Sequence, residues 1–238
     1  CICMTACIQE ENWILTSGYG ILYLQEKGGH KMKKVLMTIG RQYGSGGHEI
    51  GERVSKILRI PFFDRELIEL ASEKSGIEQG LLAIHDERTT PAVLLKTKSG
   101  GGTSGGEFIG EVLFAAQSRI ILEEAQKGSC VIIGRCANYV LRDYPELISV
   151  YVTAPLELRI QRIMERNRMS REDAQTAVEK VDRQRQTYYE HYTGRQWGGG
   201  KDYRLTIDSS RLGVETTAER LAQLVQRFAE TGEMEWKG

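Results

Sequence analysis

The feature that most constrains the fold is the run Thr38-Ile39-Gly40-Arg41-Gln42-Tyr43-Gly44-Ser45-Gly46-Gly47-His48-Glu49-Ile50-Gly51. Before it, Lys34 to Ile39 is a short β-rich apolar run that ends at Gly40. From about His48, Ile50, Val54, Ile57 and Leu58 recur at helical spacing. A strand, a glycine turn and a helix in that order point several backbone N–H groups at one place. The helix dipole adds partial positive charge there, so the turn favours an anionic group such as phosphate. Glycine permits the backbone angles and the close ligand approach that such a turn needs. Against the phosphate-loop pattern G-x-x-x-x-G-K-[ST], with the glycines ending at Gly46, Arg41 stands at the first glycine and Gly47 at the lysine. His48 stands at the hydroxyl residue that would meet magnesium. The candidate phosphate loop is therefore Gly40, Gly44, Ser45, Gly46, Gly47, His48 and Glu49, with Arg41 inside it. Two explanations compete for the missing lysine: cations from other segments supply the charge, or turnover has been lost.

The remaining pattern alternates strands and helices. Ile60 to Phe63 reads as a second strand, and Asp64 as the N-cap of a helix that turns Leu67, Ile68 and Ala71 inward. Lys96 to Gly106, KTKSGGGTSGG, reads as a flexible surface loop. A long helix is expected from Glu107 to Lys127, stopping at Gly128. Cys130 to Ile133 and Leu147 to Val152 are continuous apolar runs, which suit strands covered on both faces of a parallel sheet. Helices are expected from Pro155 to Arg168 and from Ser170 to Tyr192, the latter opened by a capping box from Ser170 to Asp173. Tyr203 to Ile207 reads as the last strand and Thr216 to Glu230 as the last helix. The whole predicts an α/β fold with a parallel, doubly wound sheet flanked by helices.

Residues Cys1 to His30 lack clear periodicity, and the pattern-obeying chain starts after Met32. No basic start precedes an apolar core, so a signal peptide is not expected. Glu26-Lys27-Gly28-Gly29 is encodable by a purine-rich stretch of the kind that recruits a bacterial ribosome. Residues 1–31 are therefore expected to be a translated leader ahead of a natural start at Met32, with one domain over 32–238.

With 32 basic and 32 acidic side chains in 238 residues, the formal net charge is zero. A general nucleic-acid binder usually carries a basic excess, so no nucleic-acid partner is expected. No apolar run approaches the roughly 20 residues of a membrane helix, so no membrane partner is expected either. Of the five cysteines, Cys1, Cys3 and Cys7 crowd the start, without a nearby histidine to suggest a metal site, and Cys130 sits in an apolar run. This is no disulfide framework, and a reducing cytoplasm is the expected setting.

Cations that could serve a phosphate site are Arg41, His48, Arg119, Arg135, Arg183 and Arg185, together with Arg159, Arg162 and Arg166 at helical spacing. Arg135 follows a strand, at the edge where α/β proteins bind ligands. His48 at a helix start is expected to have a lowered pKa and to act as a hydrogen-bond donor rather than as a full charge. Tyr188, Tyr189, Tyr192 and Trp197 are expected to pack as an aromatic group that anchors the helices.

These residues resemble the cytidylate kinase-like family of P-loop proteins. The resemblance runs from about Lys33 to the C-terminal helix. It rests on GRQYGSGGHEIG, PFFDRELIELA, VIIGRCA, TAPLELRIQRIMER, VDRQRQTYYEHYTGRQW and the strand ending Ile207-Asp208-Ser209-Ser210. It implies a P-loop NTPase-type sheet with a helical lid over about 157–200, and ATP with magnesium as donor. It also implies a phosphorylated small acceptor, most readily a nucleoside monophosphate. Arg119 resembles the family's acceptor-phosphate arginine. The family's D-G-R-D becomes Ile133-Gly134-Arg135-Cys136, which keeps the arginine. Its D-S-G-x-x-Y-R segment becomes Asp64-Arg65-Glu66-Leu67-Ile68-Glu69-Leu70, which keeps the first aspartate. Its lid arginine resembles Arg159 or Arg162, and its D-R-x-R is matched in full by Asp182-Arg183-Gln184-Arg185.

On that resemblance the glycines from Gly44 to Gly47 would wrap the donor phosphates. Arg41, Arg162, Arg183 and Arg185 would act on the transferring group, and Asp64, Arg119 and Arg135 would hold the acceptor. Glu49 and Asp208 are the candidate magnesium ligands. A nucleotide-binding regulatory protein without turnover, and a kinase of a non-nucleotide alcohol, are the competing readings.

Overall fold

The computed structural model describes residues 7–9, 12–14, 33–64 and 109–233. The chain forms two units, Cys1–Met32 and Lys33–Gly238. In the first, strands β1 (Cys7–Gln9) and β2 (Asn12–Ile14) pair antiparallel.

The sheet of the second unit contains β3 (Leu36–Arg41), β4 (Phe62–Phe63), β5 (Cys130–Ile133), β6 (Leu147–Thr153) and β7 (Leu205–Asp208). The spatial order is β4-β5-β3-β6-β7, and every neighbouring pair is parallel. The chain builds outward from β3 on one side with β4 and β5, then crosses to the other side with β6 and β7. The reversal leaves a crevice at the carboxyl end of β3, where ligands of open α/β sheets bind. The helices are α1 (Gly47–Leu58), α2 (Ile109–Lys127), α3 (Ala137–Val140), α4 (Leu156–Asn167), α5 (Arg171–Thr193) and α6 (Gly213–Thr231).

The central strands are largely apolar because helices cover both faces. Met37, Ile39, Val131, Ile133, Val150 and Val152 pack with Ile50 and Val54 of α1 and with Leu221, Val225 and Phe228 of α6. On the opposite face Leu36, Cys130, Ile132 and Leu147 pack with Leu113, Ile120 and Ile121 of α2 and Leu141. Side chains of successive residues point to opposite faces, so each continuous apolar run feeds two cores. Helices α4 and α5 form their own small core of Ile160, Ile163, Ala174 and Val178 beside Tyr43.

This is the α/β architecture the sequence predicts, with differences at element ends. Strand β3 does not stop at Gly40. Gly40 and Arg41 pair with Tyr151 and Val152 of β6, so Arg41 is the last strand residue rather than a loop residue. The last strand is Leu205–Asp208, shifted towards its carboxyl end by its register with Val150 to Thr153. The short helix α3 has no counterpart in the sequence reading. Ser170 does cap α5, its Oγ accepting from Asp173 N at 3.1 Å. The helix expected after Asp64, with Leu67, Ile68 and Ala71, and the glycine-rich stretch from Lys96 lie outside the described residues.

Helix α1 lies close to the sheet because position 51 is glycine. A Cβ there would stand 2.6 Å from Ile133 Cδ1 and 2.9 Å from Ile39 Cδ1, both fully buried. Overpacking of this kind costs about 1–3 kcal/mol. Gly51→Val should therefore lower the unfolding free energy by that amount, read as a lower denaturant midpoint with an unchanged slope in equilibrium unfolding.

Candidate active site

The turn between β3 and α1 sits at the crevice. Gln42 N donates to Val152 O (3.0 Å) and Ser45 N to Gln42 O (3.2 Å), which carries the chain off the sheet edge. Gly44 (φ 79°) and Gly46 (φ 82°) adopt the left-handed conformation that favours glycine. A Cβ on Gly44 would also lie 2.7 Å from the Arg159 carbonyl oxygen. Gly46 caps α1 without any side-chain hydrogen bond to the first-turn amides. The buried Ser45 hydroxyl makes no hydrogen bond either. A helix start without a side-chain cap beside a buried, unpartnered hydroxyl is a fit for the oxygens of a phosphate.

Helices α4 and α5 hold this turn from the side. Asp182 Oδ1 accepts from Tyr43 N at 2.7 Å, and Oδ2 accepts from Arg159 Nη1 at 2.6 Å. Arg159 also donates to the carbonyls of Tyr43 (3.2 Å) and Ala154 (3.0 Å). One turn on, Arg162 Nη1 donates to Gly44 O at 3.3 Å and to Ser209 Oγ at 3.1 Å. Ser209 Oγ in turn donates to Ser45 O at 2.6 Å. Arg166 lies 3.5 Å from Glu49 and over the Tyr43 ring, 5.3 Å from its centre. Arg185 stands over the same ring at 5.7 Å and donates to Arg41 O at 3.3 Å. The spacing of Arg159, Arg162 and Arg166 thus brings all three to the turn from one face of α4.

A second group lies at the ends of β4 and β5. Asp64 Oδ1 faces Arg135 Nη2 at 3.4 Å and Arg41 Nη2 at 4.0 Å, while Oδ2 faces His48 Nδ1 at 3.0 Å. Arg135 also donates to Asp64 O at 3.2 Å. Gly134 (φ 69°), Arg135 (φ 56°) and Cys136 (φ 55°) form a left-handed turn closed by Ala137 N to Gly134 O at 3.0 Å. Left-handed conformation costs a non-glycine residue roughly 1–2 kcal/mol. Strain of this sort persists where the surroundings impose it, and it gathers at functional sites. Its effect here is to put Arg135 into a cavity of about 30 Å³, shared with Arg41, Arg185, Tyr188, Tyr189 and Tyr203. Burial pushes the Tyr189 phenol up to about 12 and that of Tyr203 further, so both remain protonated at neutral pH. Asn138 Nδ2 donates to Tyr189 Oη at 2.9 Å and fixes that ring.

Three expectations need correction or relocation. His48 is not held below its ordinary pKa. Its hydrogen bond to Asp64 raises it, against the opposing effects of burial and of Arg41, because a carboxylate at 3.0 Å outweighs the helix start. Arg119 is 79% exposed on α2, beside Glu123 at 3.0 Å, and Arg183 is exposed on α5; the structure brings neither into the two groups above. Of the carboxylates weighed for magnesium, Glu49 faces Arg166, and Asp208 Oδ1 accepts from Ser210 N (2.9 Å) and Ser210 Oγ (2.7 Å), which hold its pKa down. Among the described residues no three His, Cys, Asp or Glu side chains gather as a metal set. The aromatic residues do pack together: Tyr188, Tyr189, Tyr192 and Trp197 join Cys136 and Phe114 in one cluster. Tyr43 and Ser209 escaped the sequence reading. A bulky aromatic inside a glycine turn was the available signal for the first; nothing local marks the second.

Because its folded-state pKa is raised, the His48 imidazolium stabilises the fold fully below the ordinary value of 6.5, and that contribution is lost as pH rises through the elevated folded value. An NMR titration of the imidazole should give a midpoint above 6.5, and Asp64→Asn should bring it down.

The profile of the cytidylate kinase-like family matches residues 36–211. The chain is 31% identical over 108 residues to the cytidylate kinase of Staphylothermus marinus, across 44% of this chain and 59% of that one. It is 27% identical over 107 residues to the cytidylate kinase of Ignicoccus hospitalis, across 45% and 62%. It therefore spans about three-fifths of the length of these curated relatives. The crystal structure of an uncharacterized protein from Eubacterium ventriosum shares the fold, with a TM-score of 0.61 at 23% identity, covering 81% of this chain and 98% of that one. The phosphate-type turn at the end of β3, the sheet order and the extent of the sequence match together place the chain in the cytidylate kinase-like family.

Proposed function

We propose that the chain transfers the terminal phosphoryl group of ATP to a small phosphorylated acceptor, most readily a nucleoside monophosphate. The observation that carries this reading is the convergence of Arg162, Arg166 and Arg185 on the glycine turn from a separate helix pair. Phosphoryl transfer needs alignment of donor and acceptor and neutralisation of charge on the transferring oxygens, more than it needs covalent chemistry from the protein. Guanidinium groups suit this, since they stay protonated and bind phosphate oxygens in a fork.

In this reading the amides of Gly44 and of Gly46 to His48, with the Ser45 hydroxyl, take the donor phosphates. Arg162 and Arg185 face the transferring group, with Arg183 joining them if α5 moves inward. Arg135 and Asp64 hold the acceptor, with Arg119 as a further contact on closure. The acceptor oxygen forms the new bond to phosphorus as the bond to the ADP oxygen breaks. Magnesium would arrive with ATP as MgATP; among the described residues no three His, Cys, Asp or Glu side chains gather as a metal set. Closure of α4 and α5 would exclude water and so limit ATP hydrolysis.

A nucleotide-binding regulatory role without turnover is the second reading, favoured by glycine at the lysine position. Calorimetry with ATP and a coupled assay across nucleoside monophosphates separate the two. Transfer to one acceptor supports the kinase; binding without transfer to any acceptor supports the regulator; absence of ATP binding defeats both. Arg162→Ala should lower kcat/KM on the order of a hundredfold while the fold persists, as expected when one transition-state charge contact is removed.

A further inference from the structure

We propose that Arg41 and Gly47 are a matched pair: the cation of the phosphate loop comes from the end of β3, and the glycine at the lysine position is what seats it. This rests on reading the turn as a donor-phosphate site. A Cβ on Gly47 would stand 2.6 Å from Arg41 Cβ, 3.2 Å from Arg41 Cγ and 3.3 Å from Val152 Cβ. The contact is with the root of the arginine side chain, not its movable end. That root cannot retreat, because Arg41 is held in register with Val152 of β6. Any residue with a Cβ at position 47, lysine included, therefore collides with an arginine at position 41. Position 41 is also where the usual loop pattern carries its first glycine, so the side chain and the glycine have changed places.

The relocated cation is aimed at the site. Arg41 is only 8% exposed, and so is no solvated surface charge. It lines the same cavity as Arg135 and Arg185. Its guanidinium lies 4.0 Å from Asp64 Oδ1, and the other oxygen of that carboxylate reaches His48, the second residue of α1. The charge thus lies next to the first turn of α1, between the donor turn and the acceptor group, where a phosphoryl group in transit needs neutralisation. Arginine rather than lysine suits this place, since its planar fork engages two oxygens at once and burial does not discharge it.

Four variants of the full chain test the pair: Arg41→Met, Arg41→Gly, Gly47→Lys and the double variant Arg41→Gly with Gly47→Lys. Melting temperature and the Kd for MgATP are measured for each. Arg41→Met keeps the packed stem and removes the charge with its contact to Asp64, so the chain should still fold cooperatively while Kd rises on the order of tenfold or more. Gly47→Lys alone should lower the melting temperature and weaken ATP binding. The double variant restores the usual loop pattern. It should recover both quantities, with Kd returning to within about threefold of the unmodified chain, a departure from additivity that marks direct contact. Unchanged ATP affinity in Arg41→Met, or strictly additive losses in the double variant, would overturn the proposal. An unmodified chain that takes up no MgATP defeats the kinase reading and Arg41's role as a phosphate cation together. The melting-temperature cycle still decides separately whether the two positions share one space.

Discussion

Asp182 holds the site together. One of its oxygens accepts from the Tyr43 amide of the glycine turn, and the other from Arg159, which returns a hydrogen bond to the Tyr43 carbonyl. The carboxylate and guanidinium are 17% and 8% exposed, so water competes little for either. Removing one partner of such a pair leaves a poorly solvated charge and typically costs about 3–5 kcal/mol. The peptide at Tyr43 is gripped on both its donor and its acceptor, so the turn cannot shift without α4 and α5. That peptide ties the turn to the helix pair at one point. Helical spacing then delivers Arg162 and Arg166 to the same place.

On the other side of β3 the constraint is backbone strain. Arg135 and Cys136 both take left-handed angles directly after Gly134. A relaxed turn there would send Arg135 elsewhere. The strained one is held by Asp64 against the guanidinium and by the packing of Cys136 among Tyr188 and Tyr189. Two groups of cations thus face one crevice, each fixed by a different device: a buried carboxylate clamp on one side, and a strained turn over an aromatic cluster on the other.

Much of the architecture was legible in the chain. Cys130 to Ile133 and Leu147 to Val152 read as fully covered parallel strands because they lack polar alternation. Gly44, Ser45, Gly46 and Gly47 read as a phosphate turn because of their position between an apolar run and an amphipathic pattern. The helical spacing of Arg159, Arg162 and Arg166 foretold a shared face. The charge state of His48 was not legible, because it depends on Asp64 across the crevice rather than on the helix that carries it. The end of β3 at Arg41 was hidden for a similar reason: its pairing partner Val152 is far along the chain. The contact made by Ser209 was not legible, since it exists only where the end of β7 meets the turn.

Local sequence thus determined which segments become strands and helices and where a glycine turn opens α1, since periodicity and glycine act over a few residues. The sequence also stated that lysine is absent from that turn, without stating what stands in its place. Only the assembled sheet sets Arg41 against that position. Register between β3 and β6 fixes the root of Arg41 against Gly47, and the sheet order sets Asp64 between Arg41, Arg135 and His48. Electrostatic partners and steric exclusions of this kind are properties of distance in space, and distance in space is set by the fold.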